Sequence, residues 1–298
     1  MSGLTKIEWA DAVWNPINGC TKVSEGCRNC YAERMATRLA GRAGYPAEHP
    51  FAVTLHPEHL EEPLHWRKGR RIFVCSMSDL FHPGVPDGFI IDVWSVMDSC
   101  PQHTFQILTK RPDRMANLTG PGEVPRPWEL PNVWLGTSVE DQATADERIP
   151  HLLRCPAAVR FVSYEPALGP IDLHLEEIAI AFEPGSYGPN EEILGPLHWA
   201  IAGGESGPKA RPAHPVWFRS VRDQCQAAGV PFFFTQWGEW VPRPTPARRE
   251  DANWPPVLYR PGCRDPLRWV WVDRVGKKAA GRLLDGVEHN AYPGDGRS

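Results

Sequence analysis

The sequence predicts an α/β protein, a partial or complete (β/α) barrel followed by a C-terminal extension. Two observations carry this. Short β-branched or aromatic runs alternate with amphipathic segments over residues 1–240, the pattern of parallel βαβ units. Polar residues then follow the apolar part of nearly every run, as they do where barrel strands hand over to functional loops. An open doubly wound sheet is the architectural alternative.

In chain order the expected strands are "AVWNPI", "FAVTLH", "RIFVCSM", "TFQILTK", "NVWLGTSV", "VRFVSYEP", "LHWAIAGG" and "VPFFFTQW". Between them the spacing predicts helices over "YAERMATRLAGR", "PEHLEEPLHWR", "GFIIDVWSVMDSC", "QATADERIPHLLR" and "HPVWFRSVRDQCQAAG". The last runs into Gly229, a helix C-cap that leads directly to a strand. Residues 174–198, acidic and rich in Gly and Pro, read as a surface insertion. From Val241 the composition turns Pro- and Arg-rich, so residues 241–298 are expected to form an extension packed on the barrel, with "RWVWVDRVGKK" as a strand pair.

Of 298 residues, 42% are hydrophobic and 23% charged, enough apolar mass for a sizeable core. The net charge of −4 excludes a general polycation, so nucleic-acid binding would need a local basic patch. Arginines and aromatics of the extension, Trp254, Tyr259, Trp269 and Trp271 among them, offer such a surface or else dock the extension. No signal-peptide pattern opens the sequence and no apolar run approaches a membrane span, so a cytoplasmic protein without membrane contact is expected.

Thiols in that compartment stay reduced, and clustered cysteines there read as metal ligands or catalytic groups. "NGCTKVSEGCRNCYAERMA" holds Cys20, Cys27 and Cys30 in a C-x6-C-x2-C loop just before a helix. Cys75, Cys100, Cys155, Cys225 and Cys263 are scattered singly and expected to be mostly buried thiols. A structural zinc site wants four closed ligands, and a fourth would have to come from His82, His103 or Cys75. An iron–sulfur cluster on three thiolates instead leaves one iron open to a ligand. Ordinary acid–base chemistry by Glu140, Glu165 and Glu205, with structural cysteines, is a further alternative.

"GCTKVSEGCRNCYAERMA" resembles the cluster loop of radical S-adenosylmethionine (SAM) enzymes, in particular the spore photoproduct lyase-like branch. It differs by three extra residues between Cys20 and Cys27 and by Asn29 in place of an aromatic. The likeness is greatest to a radical SAM-like family, many of its members phage-encoded, that carries this wider motif. That likeness extends over "FVCSMSDLFHPGVP", "FQILTKRPDRM", "VWLGTSVEDQ", "VSYEPALGPIDL", "WAIAGGESG" and "FFFTQWGEW". The "GGES" at Gly203 falls too late in the chain to be equated with the glycine–glycine–glutamate motif of radical SAM enzymes.

The resemblance implies a barrel of radical SAM type and a [4Fe–4S] cluster on Cys20, Cys27 and Cys30. It further implies that SAM chelates the open iron. Ser76, Ser78 and Asp79 would face its amino end, Lys110 its carboxylate, and Ser138 and Glu140 its ribose. An electron donor of flavodoxin or ferredoxin type and a nucleobase or nucleic-acid substrate are implied with it. The competing expectation is a non-catalytic zinc or iron–sulfur module associated with nucleic acid.

Overall fold

The computed structural model describes residues 3–120, 128–181, 195–243 and 270–294. Its centre is an eight-stranded sheet. β1 (Gly3–Leu4) pairs antiparallel with β2 (Ala12–Trp14) at one edge. From β2 the strands run parallel through β5 (Arg71–Val74), β6 (Thr104–Thr109), β7 (Val133–Ser138), β8 (Val159–Tyr164), β9 (Trp199–Gly203) and β10 (Phe232–Gln236). Spatial order equals chain order throughout this parallel run. Among the described residues no pairing joins β10 to β2, so the sheet is not a closed barrel.

Two hydrophobic clusters coat the two faces. Alternation along β8 turns Val162 and Tyr164 toward the helices and Phe161 toward the other face. That second cluster centres on Trp9, whose ring lies 4.7 Å from Phe73 of β5 and 6.4 Å from both Phe161 of β8 and Trp199 of β9. In a flat sheet β5 and β8 would stand about 14 Å apart, three strand spacings. One indole touching both requires the sheet to curl around it. Gly136 on β7 belongs to the same crowded face, since a Cβ there would overlap the Phe161 ring. Tyr292 closes this cluster from the far end of the chain, 5.1 Å from Trp199 by ring centroids, and its hydroxyl donates to the Glu8 carbonyl at 3.4 Å.

The helices are built from local signals. α1 (Tyr31–Arg38) has Cys30 as its N-cap, and α2 (Asp87–Asp98) follows Pro86. α3 (Pro112–Thr119) opens on proline, whose missing N–H has no partner at that position in any helix. α4 (Gln142–Leu153) starts from a capping box between Asp141 and Thr144. It carries Pro150 in its last turn, held by the buried face of Ile149, Leu152 and Leu153. α5 spans Leu175–Ala181 within the expected insertion, whose residues 182–194 lie outside the described residues. α6 (Pro215–Ala227) ends in a Schellman motif: Gly229 adopts φ +67°, and Val230 N–H donates to Cys225 O at 2.8 Å.

Three expectations are corrected. "PEHLEEPLHWR" forms two short 3-10 turns, Pro57–His59 and Glu62–His65, because Pro63, in the interior of the expected helix, removes a donor that a continuous helix needs. "FAVTLH" contributes only β4 (Thr54–Leu55), paired with β3 (Ile17–Asn18) outside the main sheet. "RWVWVDRVGKK" does not fold on itself within the described residues: β12 (Val272–Arg274) pairs with β11 (Trp240–Pro242) and leads to the short α7 (Lys277–Ala280). Arg268 and Trp269, like Trp254 and Tyr259, lie outside the described residues. Among the described residues no helix is long and apolar enough to cross a membrane.

Candidate functional site

The cysteine loop connects β3 to α1 and is rooted by backbone pairing. Gly19 N–H donates to Met77 O at 3.1 Å and Cys20 N–H to Phe51 O at 3.2 Å. Gly19 has φ +83° and lies so close to the Ala52 carbonyl that no side chain fits. From this root the loop crosses the carboxyl ends of the parallel strands.

Its contacts there are polar and specific. Ser24 Oγ donates to Glu140 Oε1 at 3.0 Å, and a Cβ on Gly26 would overlap the same carboxylate. Asn29 Nδ2 donates to Glu205 Oε1 at 3.2 Å and to Lys209 O at 2.9 Å. Arg211 bridges the two segments, with Nη2 2.7 Å from Glu205 Oε1 and 3.0 Å from Glu25 O. The loop is therefore fastened to the ends of β7 and β9, distant in sequence.

All three thiols are partly buried. Burial, with the Asp79 charge, pushes the Cys20 thiol up to about 11, against Arg111. Arg111 Nη1 stands 3.5 Å from Cys20 Sγ and 2.8 Å from Asp79 Oδ2, while its Nη2 donates to Thr21 O at 2.9 Å. Burial raises Cys30 as well, opposed by the Glu33 and Ala32 amides at the start of α1, donors that favour a thiolate. The three sulfurs do not all lie within 4.8 Å of one another.

The expected cofactor residues divide into two groups. Ser76 Oγ donates to Asn15 Oδ1 at 3.1 Å and Ser78 Oγ to Ile17 O at 2.8 Å, so both fasten the segment leading to the loop. Asp79 accepts from Thr109 Oγ1 at 2.7 Å, Phe81 N–H at 3.0 Å and Lys110 N–H at 3.2 Å in addition to Arg111. Lys110, Ser138 and Glu140 are brought together beneath the loop. The buried Glu140 carboxylate is paired with Lys110 Nζ and, at 3.1 Å, with Arg148 Nη1. Arg148 also donates to the Ser138 carbonyl at 2.8 Å.

Of the residues considered for a fourth zinc position, His103 precedes β6 at the amino end of the strands, opposite the loop. Cys75 is wholly buried, its thiol pushed up to about 12 by that burial. His82 lies near the loop, yet Nδ1 accepts from Gly84 N–H at 2.9 Å and Nε2 is 2.9 Å from Thr21 Oγ1. Cys100, Cys155 and Cys225 are buried as expected, and Cys263 lies outside the described residues.

Glu165 lies at the end of β8 beside Gly203, with Thr235 Oγ1 donating to it and Ser163 Oγ at 3.4 Å. Burial pushes its carboxyl up, against those two hydroxyls. Glu205 neutralises Arg211, 2.7 Å from its Nη2. Sequence reasoning missed Ser24, Arg148 and Arg211 as site residues. A capping signal marks α4, but nothing local says that Arg148, two turns on, returns to Glu140. A cavity of about 770 Å³ lined by Leu197, Phe232, His289 and Tyr292 lies at the amino ends of β9 and β10, away from the cysteines.

The open parallel sheet with a cysteine loop across its carboxyl edge defines an α/β protein with a thiol-bearing mouth. The model of the family described as "Protein of unknown function (DUF5131)" matches residues 4–293, and the chain belongs to that family. No curated protein and no solved structure matches it.

Proposed function

We propose that the chain is an iron–sulfur enzyme of radical SAM type, a partial (β/α) barrel holding a [4Fe–4S] cluster on Cys20, Cys27 and Cys30. The observation that carries this reading is the seat of the loop: three thiols from one segment, after the first parallel strand, fixed over the carboxyl ends of later strands. Strict sequential strand order and the curl around Trp9 support the barrel.

The residues present suit the cluster. Arg111 and the α1 amides supply donors to sulfur, which tune such centres. When bound, a cluster of this kind supplies the electron that cleaves SAM to methionine and a 5′-deoxyadenosyl radical.

The chain's own part is to seat SAM and shield it. Glu140 has two cations, Lys110 and Arg148, so the trio carries a net positive charge. Lys110 can turn to the SAM carboxylate while the buried Arg148 keeps Glu140 neutralised. The electron donor is of flavodoxin or ferredoxin type and the substrate a nucleobase or nucleic acid.

The test is anaerobic reconstitution with iron and sulfide, followed by dithionite and SAM. About four irons per chain and 5′-deoxyadenosine, both lost in Cys20→Ala, Cys27→Ala and Cys30→Ala, are expected. Stoichiometric zinc on the cysteines with no cluster would replace this reading with a non-catalytic metal module.

A further inference from the structure

Outside the cysteine loop, His56, Glu58 and His59 form the one cluster of three metal-ligating side chains, among the described residues, whose donor atoms all lie within 4.8 Å of each other. Glu58 Oε1 is 3.1 Å from His56 Nδ1 and 4.0 Å from His59 Nε2. These separations bracket the roughly 3.3 Å between nitrogen or oxygen ligands of tetrahedral zinc. The 3-10 turn Pro57–His59 produces the convergence by putting positions 56 and 59 on one side.

The far nitrogen of each imidazole is already held. His59 Nδ1 is 2.8 Å from Glu62 Oε1, and His56 Nε2 is 3.0 Å from the Asn18 side-chain amide. Histidines that bind metals are oriented in this way, by a carboxylate or amide on the ring nitrogen facing away from the ion. Asn18 adds an independent sign. It is 1% exposed, and its Oδ1 has no hydrogen-bond partner. Rotating that amide by half a turn, an assignment rather than an observation for any Asn, points Oδ1 at His56 Nε2. The oxygen then accepts the Nε2 proton, fixing the tautomer whose Nδ1 lone pair faces Glu58.

We propose that His56, Glu58 and His59 bind a divalent transition ion of the zinc class, with a fourth position open to water. Imidazole and carboxylate donors suit that class rather than calcium or magnesium. His56 is buried, and its backbone N–H donates to Pro16 O at 2.8 Å. The ion would therefore stiffen a turn whose first residue is already paired to the segment that opens β3, the strand that leads into Cys20. The site depends on no cluster and stands whether or not the cysteines hold one.

The test uses the full chain, stripped with chelator under reducing anaerobic conditions and titrated with Zn²⁺ by calorimetry and with Co²⁺ by absorption. Wild type is expected to bind one more equivalent than His59→Ala or Glu58→Gln, both at positions that leave the core intact. That equivalent should give cobalt ligand-field bands without thiolate charge transfer, which separates it from ions on the cysteines. Glu62→Gln should retain the site with affinity lowered about 10–100-fold. Equal stoichiometry in wild type, His59→Ala and Glu58→Gln, or cobalt bands of thiolate character alone, would overturn the proposal.

Discussion

Arg111 touches Cys20 and Asp79 with the same nitrogen, Nη1 lying 3.5 Å from the sulfur and 2.8 Å from the carboxylate oxygen. One guanidinium thus neutralises a buried acid and offers a donor to the Cys20 thiol. Removing it leaves Asp79 buried without its counter-charge, a change that costs about 3–5 kcal/mol. Arg111→Ala should lower the urea midpoint accordingly. Arg111→Lys, which keeps the charge and loses the fork, should fall between it and wild type.

Gly26→Ala tests how the loop is seated. The added methyl would strike the Glu140 carboxylate, which Arg148 and Lys110 hold in place. Overpacking of this sort costs about 1–3 kcal/mol. Iron retained per chain after reconstitution should fall well below wild type, with circular dichroism unchanged. Full iron loading would mean that the loop is not fixed by this contact.

Lys110 and Arg148 share Glu140 but should behave differently. Arg148→Met strips a buried partner from a buried acid and should destabilise the fold by about 3–5 kcal/mol, read by urea unfolding. Lys110→Met leaves that buried pair intact and should cost only about 1 kcal/mol. Its effect should appear instead in SAM affinity, at least about tenfold weaker by calorimetry on the reconstituted protein.

Two carboxyls give stability opposite pH dependences. Burial works to raise Glu205, but the hydrogen bonds and charge of Arg211 prevail and hold it below its ordinary 4.5. Its stabilisation is complete above 4.5 and is lost as pH falls through the lower folded value. Glu165, raised by burial, works the other way: its contribution is complete below 4.5 and is lost as pH rises through the higher folded value. Urea midpoints from about pH 3 to 7 should therefore show the advantage of wild type over Glu205→Gln shrinking in acid. The balance between wild type and Glu165→Gln should shift toward the variant as pH rises. Parallel curves would refute both assignments.

The sequence makes most of this fold legible because the buried strands advertise themselves. "TFQILT", "VWLGTS" and "FFFTQ" are apolar, β-branched or aromatic, and each became a parallel strand. It is less informative where local and tertiary preferences diverge. The acidic pattern after Pro57 suits a helix, but Pro63 in its interior cuts it into turns. α3 is less legible because it is only eight residues long and, of its buried positions Pro112, Met115, Ala116 and Thr119, Met115 alone is a large apolar side chain. At the site, the cysteines are visible because their spacing is local. Arg211 is not, because its partner Glu25 lies far away in the chain and only the closed fold brings them to 3.2 Å.

The stack of Trp9, Trp199 and Tyr292 also orders events during synthesis. The indole of Trp9 leaves the ribosome early, but the ring that packs beside its neighbour is translated only near residue 292. At about 5–20 residues per second, roughly 15–55 s separate the two. The face gains Trp199 and Phe233 late in that interval, and until Tyr292 follows it lacks this cover, an apolar surface open to a chaperone. Ribosome-bound chains stalled short of Tyr292 should be far more protease-sensitive than the released protein.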